Sequence, residues 1–269
     1  MSKNTDRLID VMARLRDPQG GCPWDIKQTH ASLAADTIEE TYELVEAIEN
    51  NDMQAIKEEL GDVLLHVVFH AQLGREAGSF DFDCVAAHVA DKMIERHPHV
   101  FGERDVKTAH EVLVNWENDK EAKRNAQAAG GKVSALDGVS AALPAATRAV
   151  KLQKRAARVG FDWDKAQDVL AKIREEIGEL EHEIAVKAEK DFLEDELGDV
   201  FFAVANLARK LDIDPEGALR RTNRKFERRF RGIETALAKQ GKKISDASLE
   251  EMERIWNEIK AEEKKPREE

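Results

Sequence analysis

Residues 173–204 have the sequence IREEIGELEHEIAVKAEKDFLEDELGDVFFAV. Apolar side chains recur every three or four residues in its first part, at Ile173, Ile177, Leu180 and Ile184. A second stripe with the same spacing comprises Leu197, Val200, Phe201 and Val204. This spacing places each set on one face of an α-helix. The stretch therefore predicts two consecutive amphipathic helices that pack as a helix hairpin.

A similar hairpin is predicted about 137 residues earlier in the chain. Its first helix has the apolar-face residues Ile38, Thr41, Leu44, Val45 and Ile48. The run Asn50-Asn51-Asp52 should end that helix, and a second helix is expected from about Met53 to Gly74. We expect the buried face of this second helix to contain Ile56, Leu60, Val63, Leu64, Val67 and Val68.

The similarity extends beyond the hairpins, in the same order along the chain. The matched pairs are Pro23-Trp24-Asp25 with Asp162-Trp163-Asp164, Glu59-Leu60-Gly61-Asp62-Val63 with Glu196-Leu197-Gly198-Asp199-Val200, Lys92 and Arg96 with Lys225 and Arg229, and Trp116 and Lys120 with Trp256 and Lys260. Such self-similarity indicates a tandem duplication. Small and glycine-containing residues separate the copies, so we expect domains at 1–125 and 138–269 joined by a linker at 126–137.

Composition sets the fold class and excludes several functions. The 269 residues include six prolines, fifteen glycines and one tyrosine, and 36% are charged, which favours an all-α protein. A net charge of -12 argues against a general nucleic-acid binder, which would need a basic surface. No segment has the length and apolarity of a membrane span, so we expect a cytoplasmic protein with no membrane partner.

The C-terminal hairpin contains two pairs of acidic residues that could bind a metal ion. Glu176 and Glu179 are three residues apart on the first helix, and Glu196 and Asp199 are three apart on the second. If the apolar stripes pack together, the four carboxylates converge at one edge of the hairpin. Crowded carboxylates are relieved by a raised pKa or by a bound cation, and an all-oxygen set suits magnesium. The alternative is that both pairs belong to solvated helix faces.

The N-terminal copy carries a possible second metal cluster, formed by Glu40, Glu43, Glu59 and Asp62. Repetition supports a shared function, although duplication also copies structural surfaces. A di-iron bundle would need a Glu-x-x-His motif on each of two helices, and only Glu179 with His182 has that spacing. His66 and His70 have no counterparts at Ala203 and Leu207, so we interpret them as helix-surface or core-edge residues.

Over nearly its whole length the sequence resembles the tandem-domain form of the MazG family of nucleoside triphosphate pyrophosphohydrolases. The resemblance rests on Arg14 to Pro18 leading to Gly21 to Asp25, the Glu-Glu-x-x-Glu and Glu-Leu-Gly-Asp elements of both copies, Arg96 to Phe101, and Val159 to Trp163. It implies an all-α homodimer whose hairpins complete four-helix-type bundles on dimerisation. It also implies a Mg²⁺-dependent enzyme, in which Mn²⁺ can substitute, that cuts between the α- and β-phosphates of ribo- and deoxyribonucleoside triphosphates with broad base specificity. Nucleotide-pool housekeeping or a stress response would be its role.

Carried over by position, the resemblance implies specific site residues. The metal ligands would be Glu176, Glu179, Glu196 and Asp199, and with Lys172 they would form the catalytic group. Nucleotide contacts would come from Lys172, Asn223, Lys225, Arg228, Arg229 and Trp256. These assignments make chemical sense, because cationic side chains bind phosphate oxygens and an indole stacks on any base. The alternatives are a solvated arginine face paired with glutamates and a tryptophan that belongs to the core.

The two copies differ at two of these positions. Asp36 replaces Lys172 and Ala90 replaces Asn223, so we expect the N-terminal domain to be structural, regulatory or weakly active. The residue that takes the proton of the attacking water is undecided between Glu175 and one of the ligands. Two other functions stay open: a narrower pyrimidine triphosphate hydrolase, and a non-catalytic helical module that senses nucleotides or binds a protein.

Overall fold

The structure is a computed structural model that describes residues 3–112, 114–116, 119 and 134–263. Within these ranges every regular element is a helix and no strand occurs, which confirms the all-α prediction for this part of the chain. The chain divides into two compact units, Met1–Lys123 and Arg124–Glu269. The predicted domain limits stay a prediction, since residues 126–133 of the expected linker lie outside the described ranges.

The first unit is built around the predicted N-terminal hairpin. Its helices are α1 (Lys3–Leu15), α2 (Pro23–Lys27), α3 (Ala34–Asn50), α4 (Met53–Glu76), α5 (Phe82–Arg96) and α6 (Pro98–Phe101), with further helical residues within 109–116. Helix α3 packs against α4. Asn51 turns the chain with a left-handed φ of 54°, and the Asp52 carboxylate caps α4 by accepting from the backbone N–H of Gln54 and Ala55.

A small core and one arginine hold the hairpin to the N-terminal helices. Met12, Leu33, Val68, Phe69 and Leu73 form the core, which joins α1 to α4. The buried Arg16 guanidinium donates to Glu76 Oε1 and Oε2 at 2.8 and 2.6 Å. It also donates to the carbonyl oxygens of Asp25 and Gln28. This arginine therefore fixes the segment around α2 to the end of α4.

The second unit repeats the hairpin and adds three flanking helices. Its elements are α7 (Ala145–Arg158), α8 (Ala166–Val186), α9 (Lys190–Lys210), α10 (Pro215–Lys239), a 3-10 turn (Ile244–Asp246) and α11 (Leu249–Glu262). Helices α8 and α9 form the hairpin, and Lys187 makes its turn with a φ of 57°. Helix α7 packs on α9 and α10, and α11 packs on α10 through Ile233, Leu237 and Ile255.

The apolar faces of both hairpins stay largely open in the single chain. The predicted buried face of α4 is wrong here for Leu60, Leu64 and Val67, which are exposed, whereas Val68 is buried. On the second hairpin Phe201 is 65% exposed. Helical periodicity identifies an apolar face but not the element that covers it, which explains the difference. None of the helices in the described ranges is long and apolar enough to cross a membrane.

Candidate functional site

Three of the four predicted ligands of the C-terminal copy lie together at one edge of the α8–α9 hairpin. Carboxylate oxygens of Glu176, Glu196 and Asp199 all lie within 4.8 Å of one another. Glu176 is only 6% exposed, Glu196 is half-buried and Asp199 is exposed. The group therefore runs from the interior of the hairpin to solvent, where a soluble ligand can reach it.

The fourth acid, Glu179, lies beside this group. Its carboxyl shares a hydrogen bond with Glu176, and this contact, followed by burial and the Glu176 charge, raises the pKa of Glu179 above its usual range. A raised carboxyl pKa is the expected response to crowded negative charge when no cation neutralises it. The site thus brings together all four acids that the sequence spacing predicted.

Lys172 brings a positive charge into contact with the buried member of the acid group. Its ammonium lies 2.8 Å from Glu176 Oε1 and 2.7 Å from Glu175 Oε1. The hydrogen bonds to Glu175 and then to Glu176 raise the pKa of Lys172 above its usual value. Lys172 is therefore charged at neutral pH and gives the buried Glu176 carboxylate a counter-ion. Glu175, which bonds to the same ammonium, is exposed.

The donor chemistry of the acid group suits a hard divalent cation. Among the described residues, two groups of three side chains offer clustered ligand atoms, and neither group contains a histidine or a cysteine. Carboxylate oxygens alone favour magnesium or manganese over the softer transition metals. The rival di-iron site would need histidine ligands, so the residues present argue against it.

Arg228, Arg229 and Trp256 form a second group, between α10 and α11. The Arg229 guanidinium carbon lies 5.2 Å from the centroid of the Trp256 ring, within the range of a cation–π contact. Both arginines also donate to the carboxylate of Glu263. The Trp256 ring is half-buried against the core of this unit, so part of the indole is structural and part is accessible.

The other two predicted nucleotide contacts stand apart. Asn223 and Lys225 are exposed on α10, and in the described part of the chain they join neither the acid group nor the arginine–tryptophan group. The pairing of arginines with a glutamate, which the sequence left as an alternative, is observed at Glu263. It does not exclude nucleotide binding, because each guanidinium has five donors.

The N-terminal copy has a similar acid group in a different electrostatic setting. Carboxylate oxygens of Glu40, Glu43 and Glu59 lie within 4.8 Å of one another. Burial, and then the Asp62 and Glu43 charges, raise the pKa of Glu40. Burial, and then the Glu43 and Asp62 charges, raise the pKa of Glu59. Asp36 stands at the position that corresponds to Lys172, so the lysine that contacts the C-terminal acids has no counterpart at this position of the N-terminal copy.

The aromatic partner also differs between the copies. The Trp116 indole N–H donates to the backbone carbonyl of Arg96 at 2.5 Å, and the His97 ring meets it edge-on with centroids 5.0 Å apart. Lys92 is half-buried on α5, and Lys120 lies outside the described residues. The N-terminal tryptophan is thus held by backbone and histidine contacts, in contrast to the arginine stacking at Trp256.

The two predicted histidines lie on α4 and belong to neither clustered acid group of the described residues, although His66 interacts electrostatically with Glu40. His66 is buried and His70 is half-buried, and each bonds to the Thr37 hydroxyl, at 3.1 and 3.3 Å. The other nitrogen of His70, Nδ1, lies 2.8 Å from His30 Nδ1. Burial and the bond from its Nδ1 to Thr37 confirm the interpretation of His66 as a core-edge residue.

Two residues near the sites were not identified from the sequence. Gln153 of α7 is buried and donates from Nε2 to the carbonyl of Phe202 at 2.8 Å, three residues after Asp199. Glu263 contacts Arg228 and Arg229 across 35 and 34 residues of chain. Neither belongs to a repeated motif, and only the packing of distant helices brings them to their partners.

Comparisons with known proteins identify a family whose domain model covers both acid groups of this chain. The family model described as the MazG nucleotide pyrophosphohydrolase domain matches residues 28–101 and 165–232, which include both acid groups. The chain is 46% identical to the nucleoside triphosphate pyrophosphohydrolase of Escherichia coli strain K12, over 96% of this chain and 97% of that protein. It is 42% identical to the nucleoside triphosphate pyrophosphohydrolase/pyrophosphatase MazG of Thermotoga maritima, over 95% of each chain. A nucleoside triphosphate pyrophosphohydrolase of Mycobacterium tuberculosis is 30% identical over 81% of this chain and 67% of that protein. The chain therefore belongs to the MazG nucleotide pyrophosphohydrolase family.

Proposed function

We propose that the C-terminal unit is the working site of this nucleoside triphosphate pyrophosphohydrolase. The reaction converts a ribo- or deoxyribonucleoside triphosphate and water into the monophosphate and pyrophosphate, with broad base specificity. The observation that carries the proposal is the group of Glu176, Glu196 and Asp199 with Lys172 in contact with its buried member, Glu176. Such an activity fits nucleotide-pool housekeeping or a stress response.

We infer that Glu176, Glu179, Glu196 and Asp199 hold Mg²⁺, which Mn²⁺ can replace. The oxygens of Glu176, Glu196 and Asp199 converge, and the raised pKa of the adjacent Glu179 indicates negative charge that a cation would relieve. When bound, the metal supplies positive charge to phosphate oxygens and lowers the pKa of a coordinated water. The chain's own contribution is to hold the carboxylates on two packed helices, so that little reorganisation is needed when substrate arrives.

Positive side chains of the same unit would bind the phosphates. Lys172 lies in direct contact with the acids, and Arg229 lies on the face of Trp256. Lysine and arginine suit phosphate oxygens because their hydrogen bonds are charge-assisted. The exposed Lys225 and Asn223 and the remaining donors of Arg228 complete the proposed set, and the half-buried Trp256 would stack on the base.

We propose unequal roles for the two units. The N-terminal acids are clustered, so the Glu40, Glu43, Glu59 and Asp62 group remains a candidate second metal site. This unit lacks the lysine, and its tryptophan is held by a backbone carbonyl. Weaker binding of a triphosphate follows, so we assign this unit a structural, regulatory or weakly active role.

We also propose that the chain works as a homodimer. Both hairpins expose apolar side chains in the single chain, among them Ile38, Leu60, Ile184 and Phe201. Exposed apolar residues that repeat on one helix face usually mark an interface. A second copy that covers these faces would complete a four-helix-type bundle from two hairpins.

A panel of substrates tests the proposed reaction. Purified protein is incubated with Mg²⁺ and, separately, with each of the eight common ribo- and deoxyribonucleoside triphosphates. Chromatography then resolves monophosphate and pyrophosphate from diphosphate and orthophosphate. We expect monophosphate and pyrophosphate in equal amounts from all eight, and no turnover after the metal is chelated.

Other results of the panel would contradict the proposal in different ways. Release of orthophosphate would disprove cleavage between the α- and β-phosphates. Turnover of a single pyrimidine triphosphate would indicate the narrower hydrolase. Saturable nucleotide binding with no product at all would indicate a sensing module.

A further inference from the structure

We propose that Glu263 is a positioning residue that holds Arg229 on the face of Trp256 and so presets the nucleotide site. The inference rests on the proposed role of Arg229 and Trp256 in nucleotide binding. It adds a residue that lies outside every repeated motif of the chain and that would act through the two arginines.

One carboxylate engages both guanidinium groups. Arg229 donates from Nε and Nη2 to Glu263 Oε2 at 3.0 and 2.8 Å. Arg228 donates from Nε and Nη2 to Oε1 at 2.8 and 2.7 Å. Charge-assisted contacts of this kind fix the plane of a guanidinium as well as its position. The plane of Arg229 is thereby held where its carbon lies 5.2 Å from the Trp256 ring centroid.

The contact with Glu263 does not use every donor of the two guanidinium groups. The bonds to Glu263 use the Nε side of each guanidinium and leave Nη1 of both arginines outside this contact. A guanidinium has five donors, so a phosphate can approach Arg229 while Glu263 keeps its place. This geometry favours a positioning role over a blocking role, in which the carboxylate would have to leave before substrate binds.

Burial explains why Arg229 needs this partner more than Arg228 does. The Arg229 side chain is 12% exposed, whereas that of Arg228 is 63% exposed. A largely desolvated guanidinium without a carboxylate would be costly. Hydrogen bonds from Arg229, and then from Arg228, hold the pKa of Glu263 below its usual range, so the carboxylate is charged at neutral pH.

Helix geometry places Glu263 and Trp256 on one side of the arginine. The two residues are seven positions apart, two turns along the same face of the α11 segment. Helix α11 packs on α10, which carries Arg229. The packing of α11 on α10 therefore brings both the Trp256 ring and the Glu263 carboxylate to Arg229.

The charge pattern is specific to the C-terminal copy. Where it has Arg228 the N-terminal copy has Glu95, and where it has Glu263 the N-terminal copy has Lys123. A lysine cannot accept hydrogen bonds from Arg96, the counterpart of Arg229. The positioning carboxylate thus accompanies the copy in which tryptophan stacks on arginine.

The test compares Glu263→Gln with a matched control in α11, the helix that ends one residue before Glu263. The control is Glu258→Gln, which removes the same charge from an exposed ion pair with Arg254. In full-length protein we expect Glu263→Gln to raise KM for ATP about tenfold while kcat changes less than about twofold. The control should leave both constants at wild-type values, and Glu263→Asp, which keeps the charge, should restore part of the affinity.

A double-mutant cycle separates positioning from general destabilisation. Arg229→Ala alone should also raise KM, and adding Glu263→Gln to it should cause little further change, because the carboxylate would act through the arginine. Melting temperatures of all variants show whether each is folded. If the Gln variant unfolds early, the cycle is run with Glu263→Asp.

The outcomes distinguish this inference from the site assignment. If Arg229→Ala leaves KM unchanged, nucleotide binding by Arg229 is wrong, and the inference fails with it. If Arg229→Ala raises KM but Glu263→Gln does not, the site stands and the positioning role is wrong. A fall in KM in the Gln variant would show that Glu263 blocks the site, which also overturns the inference.

Discussion

Glu176 is the most buried of the C-terminal acids, and its surroundings show how the chain tolerates it. A buried carboxylate is costly unless it is paired and hydrogen-bonded. Glu176 has the Lys172 ammonium on one side and the Glu179 carboxyl on the other. The Lys172 ammonium and the hydrogen bond with Glu179 therefore offset the cost of burying Glu176. Both partners are one helical turn away, so the local sequence is sufficient to place them.

The raised pKa of Glu179 predicts an effect of pH on stability. An acid whose pKa is higher in the folded than in the unfolded state destabilises the fold above that pKa, and the penalty disappears as pH falls through it. In metal-free protein Glu179→Gln should therefore raise the melting temperature near about pH 7.5, and the gain should shrink towards about pH 5. Thermal melts in the presence of a chelator, across this pH range, measure it.

Glu181→Gln is the control for this experiment, because Glu181 is an exposed acid on the same helix. It should shift the melting temperature little at any pH in the series. Addition of Mg²⁺ should reverse the advantage of Glu179→Gln at neutral pH, since the wild-type carboxylate then has a cation. A lower melting temperature of metal-free Glu179→Gln at neutral pH would contradict the account of Glu179.

At the scale of elements, periodicity and turn residues predicted the hairpins well. Helix α4 begins at Met53 as expected and ends at Glu76, two residues beyond the predicted Gly74. The stop at Asn51 is explained by its left-handed backbone, which asparagine tolerates better than most residues. Burial of Leu60 and Leu64 could not be predicted in the same way, because it depends on what covers the helix.

The open hairpin faces predict a specific defect in assembly. If Phe201 is buried between two copies, Phe201→Ala should remove about 3–5 kcal/mol of interface stability. That loss corresponds to a dissociation constant roughly 10² to 5 × 10³ times higher. Light scattering on a dilution series should show wild-type protein at twice 30.3 kDa and the variant near 30.3 kDa at low concentration.

Leu249→Ala is the matched control for the dimer, because Leu249 is 67% exposed at the start of α11 and lies outside the hairpin. It should keep the mass of the wild type. A wild-type chain that is monomeric at every concentration would contradict the proposed dimer. A variant that dimerises as tightly as wild type would exclude Phe201 from the interface.

At the scale of the molecule, the two copies of the repeated domain share their acid groups but differ in the charged residues around them. The acid groups could be predicted from the sequence, because residues three apart on one helix lie on the same face. When the two helices of a hairpin pack together, the two acidic pairs then meet at one edge. The link from Glu263 to Arg228 and Arg229 could not, since it depends on the packing of α11 on α10. Comparison of the two copies did show that the N-terminal copy has Asp36 where the C-terminal copy has Lys172. The contact between Lys172 and Glu176 shows which interaction the N-terminal copy therefore cannot make.

The central claim is that the C-terminal acids, and not their N-terminal counterparts, carry the reaction. Matched substitutions in the full-length chain test it most directly: Glu176→Gln and, at the corresponding position, Glu40→Gln, each assayed for pyrophosphate release with ATP and Mg²⁺. Circular dichroism would confirm that both variants stay helical. We expect Glu176→Gln to lower turnover at least about a hundredfold, because a metal ligand is lost, and Glu40→Gln to keep most of it. Wild-type turnover in Glu176→Gln, or an equal loss in both variants, would contradict the account.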